Sequence, residues 1–236
     1  MKTLVLMPTF NEIDTLQNSV KTLFEHNPAL DLLVIDDNSP DGTGALADTM
    51  AAEDSRIFVL HRISKQGLGR AYIDGFHWGI EAGYELLIQM DADGSHQPKD
   101  LPRILRAAET ADLVIGSRWI SGGEVQNWPL IRQLISRFGN LYARVMLGST
   151  IQDLTAGFRA YRSTLLGKID LKRIQAQGYG FQAEMTLRSL DANSRVVEVP
   201  ISFIERENGR SKMTWAIIIE AYLLCTKWGL QRLIRR

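Results

Sequence analysis

The chain has 236 residues, with 27 Lys and Arg against 27 Asp and Glu, so its formal net charge is zero. That balance excludes the broad cationic field by which a protein gathers nucleic acid, and an apolar content of 45% excludes a disordered chain. A single cysteine, Cys225, excludes an internal disulfide and suits a reducing cytosol; no run approaches the roughly 20 apolar residues that span a bilayer. The apolar run at residues 3–7 is too short for a signal peptide.

Residues 3–7 read as a buried strand, and Pro8-Thr9-Phe10-Asn11 turns into a helix over 12–25 with Leu16, Val20 and Leu23 on one face. Residues 32–35 form a second strand ending in Asp36-Asp37-Asn38. Ser39-Pro40-Asp41-Gly42 is a turn, with Asp41 as a turn or N-cap residue before a helix to 53. A third strand spans 57–60. Gly67-Leu68-Gly69 opens a helix through 83; these glycines serve helix initiation and close packing, or a phosphate loop. The fourth strand covers 86–90, a helix 98–110, and a fifth strand 113–115. Strands separated by helices of this length imply parallel crossovers, and near-continuous apolar strands imply a sheet covered on both faces.

The alternation then breaks. Residues 121–129 are a loop with Gly and Trp, 130–147 a helix carrying Arg132, Arg137 and Arg144, 156–161 a further strand, 182–190 a helix and 196–204 an edge strand. A polar loop over 205–212 precedes the most apolar helix, 213–234. No repeat, low-complexity tract or linker interrupts the chain. The expected fold is α/β, a mostly parallel Rossmann-like sheet with helices on both faces, in one domain over 1–212 plus a C-terminal amphipathic helix over 213–236.

The chemistry concentrates in Ile88-Gln-Met-Asp-Ala-Asp-Gly-Ser-His-Gln97. Asp91 and Asp93 are two positions apart at a strand end, where i and i+2 point the same way. Their repulsion is costly unless a cation sits between them, and a hard divalent ion, Mg²⁺ or Mn²⁺, suits a site of one or two carboxylates. Ligands of open α/β sheets collect at the carboxyl ends of the strands, which here carry residues 8–12, Asp36-Asp37 and 91–93. Carboxylates there suit ribose hydroxyls and base N–H groups, hence a nucleoside diphosphate bridged to metal. The dinucleotide and P-loop glycine motifs are absent. The Asp-x-Asp-Gly-Ser run also fits an aspartyl-phosphate phosphohydrolase, but the acidic pair Asp36-Asp37 precedes it, which is the wrong order for those enzymes.

Together, Pro8-Thr-Phe-Asn-Glu12, Val34-Ile-Asp-Asp-Asn-Ser-Pro-Asp-Gly-Thr43, Met90-Asp-Ala-Asp-Gly-Ser-His96, Gly116-Ser-Arg118 and Gly157-Phe-Arg159 resemble the inverting family-2 glycosyltransferases of GT-A fold, and within them the polyprenol (dolichol) monophosphate mannose synthases. The resemblance runs from residue 3 to about 214. It implies a GDP-mannose donor, a divalent metal on Asp91 and Asp93, and a polyprenyl phosphate acceptor. Donor-binding positions would be Pro8, Phe10, Glu12, Ile35, Asp36, Asp37, Asp91, Ala92, Asp93, Arg206 and Lys212. Arg118, Arg132 and Ser136 would hold the acceptor phosphate, and Asp91, Asp93 and Arg118 would be catalytic. Relatives often carry a glutamine, or a serine with a bulky neighbour, after the Asp-x-Asp. Gly94-Ser95 therefore leaves open whether that segment supplies a metal ligand.

An acceptor phosphomonoester has a second pKa of about 6, so it is mostly anionic at neutral pH and needs no strong base. His96 accordingly reads as a turn or supporting residue. Two phosphorylated partners must instead be brought together against their repulsion, by metal and by arginine. The implied location is cytoplasmic, peripheral at the inner face of a membrane, with no nucleic acid and with a membrane-anchoring partner protein or oligomerisation for tight attachment. The C-terminal helix is either interfacial or packed on the core, and the 130–147 helix is a second lipid-facing candidate. A different donor such as UDP-glucose, and a silent nucleotide-sugar-binding subunit, are the remaining alternatives.

Overall fold

Four apolar runs become parallel neighbours at the centre of the molecule, because each buries both faces and leaves its polar residues to the strand ends. The computed structural model describes residues 1–174, 176, 178–205 and 215–234; for 179, 215–221 and 233–234 only the backbone is described. In chain order the elements are β1 (Thr3–Thr9), α1 (Ile13–His26), β2 (Asp31–Asp36), α2 (Thr43–Glu53), β3 (Ile57–His61), α3 (Leu68–Glu81), β4 (Leu86–Gln89), α4 (Leu101–Ala108), β5 (Leu113–Ser117), β6 (Glu124–Gln126), α5 (Leu130–Leu147), β7 (Arg159–Arg162), α6 (Ser163–Leu166), α7 (Gly178–Asp191), β8 (Val196–Pro200), β9 (Ser202–Ile204) and α8 (Trp215–Ile234).

A seven-stranded sheet runs β3-β2-β1-β4-β7-β5-β8, and β6 and β9 form a separate parallel pair. Only β7 is antiparallel to its neighbours, β4 and β5. Consequently β1, β2, β4 and β5 deliver their C-terminal ends to one edge, and β7 begins there. One sheet face packs Leu4, Leu6, Leu33, Ile35 and Leu87 against Tyr72 and Phe76 of α3 and Phe181 of α7. The other packs Val5, Met7, Val34 and Ile88 against Leu16, Val20 and Leu23 of α1 and Leu101 and Ile104 of α4. Burying each such side chain contributes about 1.5–3 kcal/mol.

The 196–204 segment is not one edge strand. Pro200 has no N–H with which to continue the ladder; Ile201 then turns into the core, 1% exposed, and donates its N–H to the Ser117 carbonyl at 3.1 Å. The chain emerges as β9, which joins β6 inside what reads from sequence as a loop. The helix expected from 182 starts earlier, at Gly178, and the helix expected from 98 opens with a short 3-10 turn at Pro98–Asp100 before α4.

From Tyr222 onward α8 packs one side on α5 and α7, while Leu223 and Leu230 stay exposed on it. Tyr142 and Thr226 hydroxyls meet at 2.5 Å, and Arg232 donates to the Leu147 carbonyl at 2.9 Å and pairs with Asp191 at 3.2 Å. Gly229 lets α8 approach α5 closely, since a Cβ there would lie 2.5 Å from the Met146 carbonyl. Burial pushes the Cys225 thiol up to about 11.

Candidate active site

The shared strand edge opens into a cleft of about 390 Å³, lined by residues from the ends of β1, β2, β4 and β5, from the segment before β7 and from the first turns of α7. Asn11 and Asn38, each at φ 58°, turn the chain sharply after β1 and β2, a conformation asparagine tolerates better than most residues.

Asp91 and Asp93 both line this cleft, but not by strand alternation. β4 ends at Gln89, and the two carboxylates sit in a turn closed by Gly94, whose φ of 75° suits glycine. Two groups set Asp91 from below. The Tyr72 hydroxyl donates to its Oδ1 at 3.1 Å, and its own backbone N–H donates to His96 Nδ1 at 3.0 Å. His96 thus has its lone pair on Nδ1 and its hydrogen on Nε2, and its ring stacks 4.9 Å from Phe158. Tyr72 is fully buried, and burial together with the Asp91 charge pushes its hydroxyl pKa well up, so it remains a donor. Asp93 Oδ1 accepts the Ser95 N–H at 3.0 Å, while the Ser95 hydroxyl is buried beside it without a hydrogen-bond partner among the described residues.

At the β1–β2 end the two adjacent acids divide. Asp36 accepts from the Ser39 N–H and hydroxyl (3.1 and 2.6 Å) and the Thr9 hydroxyl (3.2 Å), and Gly44 packs against it. It ties the strand ends together and does not line the cleft; Ile35 likewise sends its side chain into the core. Asp37 does line it, paired with Arg62, which also donates to Asp74 at 2.7 Å. Burial raises the Asp37 pKa, and Arg62 opposes the rise only in part. Glu12 and Phe10 complete this end, with Lys65 Nζ 4.0 Å above the Phe10 ring. Asp41 is a turn residue, one position before the N-cap Gly42 of α2: it accepts the Thr43 N–H at 3.0 Å and the Ile13 N–H at 3.2 Å, tying the starts of α2 and α1 together.

The other end is basic and aromatic. Arg118, after β5, makes a two-point pair with the fully buried Asp153, Nε to Oδ2 and Nη2 to Oδ1 both at 2.7 Å, and Nη2 also reaches the Thr155 hydroxyl at 2.9 Å. Burial alone would raise the Asp153 pKa; the charge and hydrogen bonds of Arg118 outweigh it and hold the carboxyl below its ordinary value. Arg132, in the first turn of α5, lies 4.1 Å over Trp128 and is paired with Glu205. Arg159 is buried instead of facing the cleft, donating to the Ala156, Gln182 and Leu154 carbonyls at 2.7–2.8 Å. It fixes the segment that presents Thr155 and Gly157.

Of the residues expected at the site, Pro8, Phe10, Glu12, Asp37, Asp91, Ala92, Asp93, Arg118 and Arg132 line the cleft. Ile35, Asp36 and Ser136 do not; Ser136 lies one turn along α5 from Arg132, its carbonyl accepting from Asn140 at 3.0 Å. Arg206 and Lys212 lie outside the described residues. The cleft also contains Lys65, Trp128, Thr155, Gln182, Phe203 and Glu205, which the sequence reading did not single out. Thr155 had a signal, its place two residues before Gly157-Phe-Arg159; Gln182 and Phe203 had none, because only tertiary folding brings them to this edge.

Residues 4–170 match the sequence profile of glycosyl transferase family 2. An undecaprenyl-phosphate mannosyltransferase of Micrococcus luteus is 55% identical over 98% of this chain and 95% of its own length. A polyprenol monophosphomannose synthase of Mycolicibacterium smegmatis is 50% identical over 98% and 88%. Among solved structures, glucosyl-3-phosphoglycerate synthase of Mycobacterium tuberculosis, crystallised with Mn²⁺, UDP-glucose and phosphoglyceric acid, superposes with a TM-score of 0.70 at 19% identity, covering 95% of this chain and 79% of that one. At that identity the likeness is one of fold, and it is a GT-A fold.

Proposed function

Because the chain belongs to glycosyl transferase family 2, we propose that it transfers mannose from GDP-mannose to a membrane polyprenyl monophosphate, releasing GDP and inverting the sugar C1 to give a β-mannosyl phosphate. The observation that carries this reading is that a single cleft holds the carboxylates of Asp91 and Asp93 together with the arginine at the start of α5, where a row of exposed apolar side chains begins.

The donor set fits a hard divalent ion, Mg²⁺ or Mn²⁺. It offers two carboxylates and the unpartnered Ser95 hydroxyl, and no group of three His, Cys, Asp or Glu able to hold a metal exists among the described residues. Such ions take one or two protein carboxylates and complete their shell with phosphate oxygens and water. Asp91 and Asp93 would hold the ion, which when bound offsets the charge growing on the departing diphosphate.

The remaining work falls to the chain itself. Glu12 and Asp37 accept hydrogen bonds from the nucleoside, and Pro8 and Phe10 pack against it. Arg132, with Arg118 beside it, orients an acceptor phosphate that is already anionic, so that one oxygen attacks C1 in line. We assign Arg206 and Lys212, which lie outside the described residues, to the diphosphate on the family resemblance alone. Trp128 and Phe203 give this end of the cleft an apolar wall, which lowers the local water content and strengthens these charge interactions.

Leu130, Ile131, Leu134, Ile135, Phe138, Leu141 and Val145 of α5 are exposed, Leu130 at 77% and Phe138 at 70%. Such a row exceeds what a water-facing helix needs and suits a helix lying in the headgroup region. We read the protein as peripheral, at the inner face of the membrane; no described helix is long and apolar enough to cross it. Incubating the protein with labelled GDP-mannose, Mg²⁺ or Mn²⁺ and a polyprenyl phosphate, then counting label in the organic phase, tests the reading. Label is expected in the lipid phase; label appearing from UDP-glucose and not from GDP-mannose would reassign the donor.

A further inference from the structure

Glu205 follows β9 directly, and its N–H is tied to the Gln126 carbonyl of β6 at 3.1 Å. Its carboxylate reaches into the cleft and pairs with the Arg132 guanidinium, which also lies over the Trp128 ring at 4.1 Å. The cation assigned above to the acceptor phosphate is therefore already matched by an internal anion. Around it the described cleft is acid-rich: Glu12, Asp37, Asp91, Asp93 and Glu205 against Lys65, Arg118 and Arg132. An anion that takes the Nη1 donor of Arg132 competes with Glu205 for it, and a doubly charged anion competes better than a singly charged one.

The reaction changes that charge. The acceptor is a phosphomonoester, carrying between one and a half and two negative charges at neutral pH. Once the C1–O bond forms and the sugar leaves its diphosphate, the acceptor phosphorus bears two ester oxygens and a single negative charge. We infer that Glu205, by competing for Arg132, selects the acceptor by charge: it yields to the phosphomonoester and retakes Arg132 from the phosphodiester product, expelling it. This rests on the reading of Arg132 as an acceptor-phosphate ligand. It gives Glu205 a specificity role that is separate from the chemistry at C1.

The test measures acceptor KM and inhibition by a short dialkyl phosphodiester, the singly charged probe, in wild type, Glu205→Gln, Arg132→Ala and the double variant. Glu205→Gln should tighten the diester inhibition constant roughly three- to fivefold, the worth of a partly exposed charge pair, with a smaller change in acceptor KM. In the Arg132→Ala background the same substitution should have no effect on the diester. Unchanged diester inhibition in Glu205→Gln overturns the inference, as does an effect that persists without Arg132, which marks a purely structural role. If Arg132→Ala leaves acceptor KM at the wild-type value, the acceptor assignment itself falls, an outcome distinct from the other two.

Discussion

Asp153 holds Arg118 from two sides at once, through its side chain and its backbone: the Arg118 N–H donates to Asp153 Oδ2 at 3.0 Å, and the guanidinium closes on both carboxylate oxygens at 2.7 Å. Glu198 in turn accepts the Asp153 N–H at 2.9 Å. The arginine is thereby fixed as part of the floor of the cleft. Replacing Asp153 with Asn should cost about 3–5 kcal/mol, since it leaves a buried guanidinium uncompensated. Urea unfolding at neutral pH measures it.

The same pair predicts an acid limb. Asp153 has a lower pKa folded than its unfolded value of about 3.9, so the unfolded chain binds the extra proton and stability falls with falling pH. The contribution is fully present above about pH 4 and is lost as pH drops through the folded value. Asp153→Asn should lose stability less steeply in this range; superimposable acid limbs would show that other carboxylates set it.

Asp93→Asn and Asp91→Asn should each lower turnover at least a hundredfold or so, by analogy with removal of a charge-stabilising group. Binding of Mn²⁺ in the presence of GDP should weaken in parallel. Either variant working at near wild-type rate with saturating metal would remove that carboxylate from the metal site.

Tyr72→Phe isolates the support beneath Asp91. The ring stays stacked on Phe181, 6.3 Å between centroids, and only the donor is lost, worth about 0.5–1.5 kcal/mol. The metal concentration for half-maximal rate should rise roughly two- to tenfold, with the rate at saturating metal little changed. A fall in rate that excess metal does not restore would point to a different role for the hydroxyl.

Ile131→Lys with Phe138→Glu tests α5. Both side chains are largely exposed, at 65% and 70%, so folding stability should move by less than about 0.5 kcal/mol each. Flotation with anionic vesicles should drop sharply while transfer to a short, water-soluble acceptor phosphate is retained. Unaltered flotation would place the membrane contact elsewhere.

The strand ends were legible because the information is local: an apolar run, a turn signal and acidic residues within ten positions identify β1, β2 and β4 and the turns at their C-terminal ends. Asp91 and Asp93 were found for that reason, although a turn and not strand alternation brings them together. Asp36 and Asp37 show the limit. They are adjacent and chemically identical, yet one is spent on Ser39 and Thr9 while the other meets Arg62 at the cleft, a difference decided by which side of the strand end each leaves. Gln182, Phe203 and Glu205 arrive from elements far along the chain, and the break at Pro200 that makes β9 depends on Ile201 finding a place in the core.

α5 joins two environments along one axis. Its 18 residues extend about 27 Å, with Arg132 in the cleft at one end and oily side chains along the remainder. For a substrate whose tail stays dissolved among lipids, encounter becomes a search in a plane. Turnover would then follow the mole fraction of acceptor in the leaflet rather than its amount per litre, and diluting the bilayer with inert lipid would slow the enzyme at constant total acceptor.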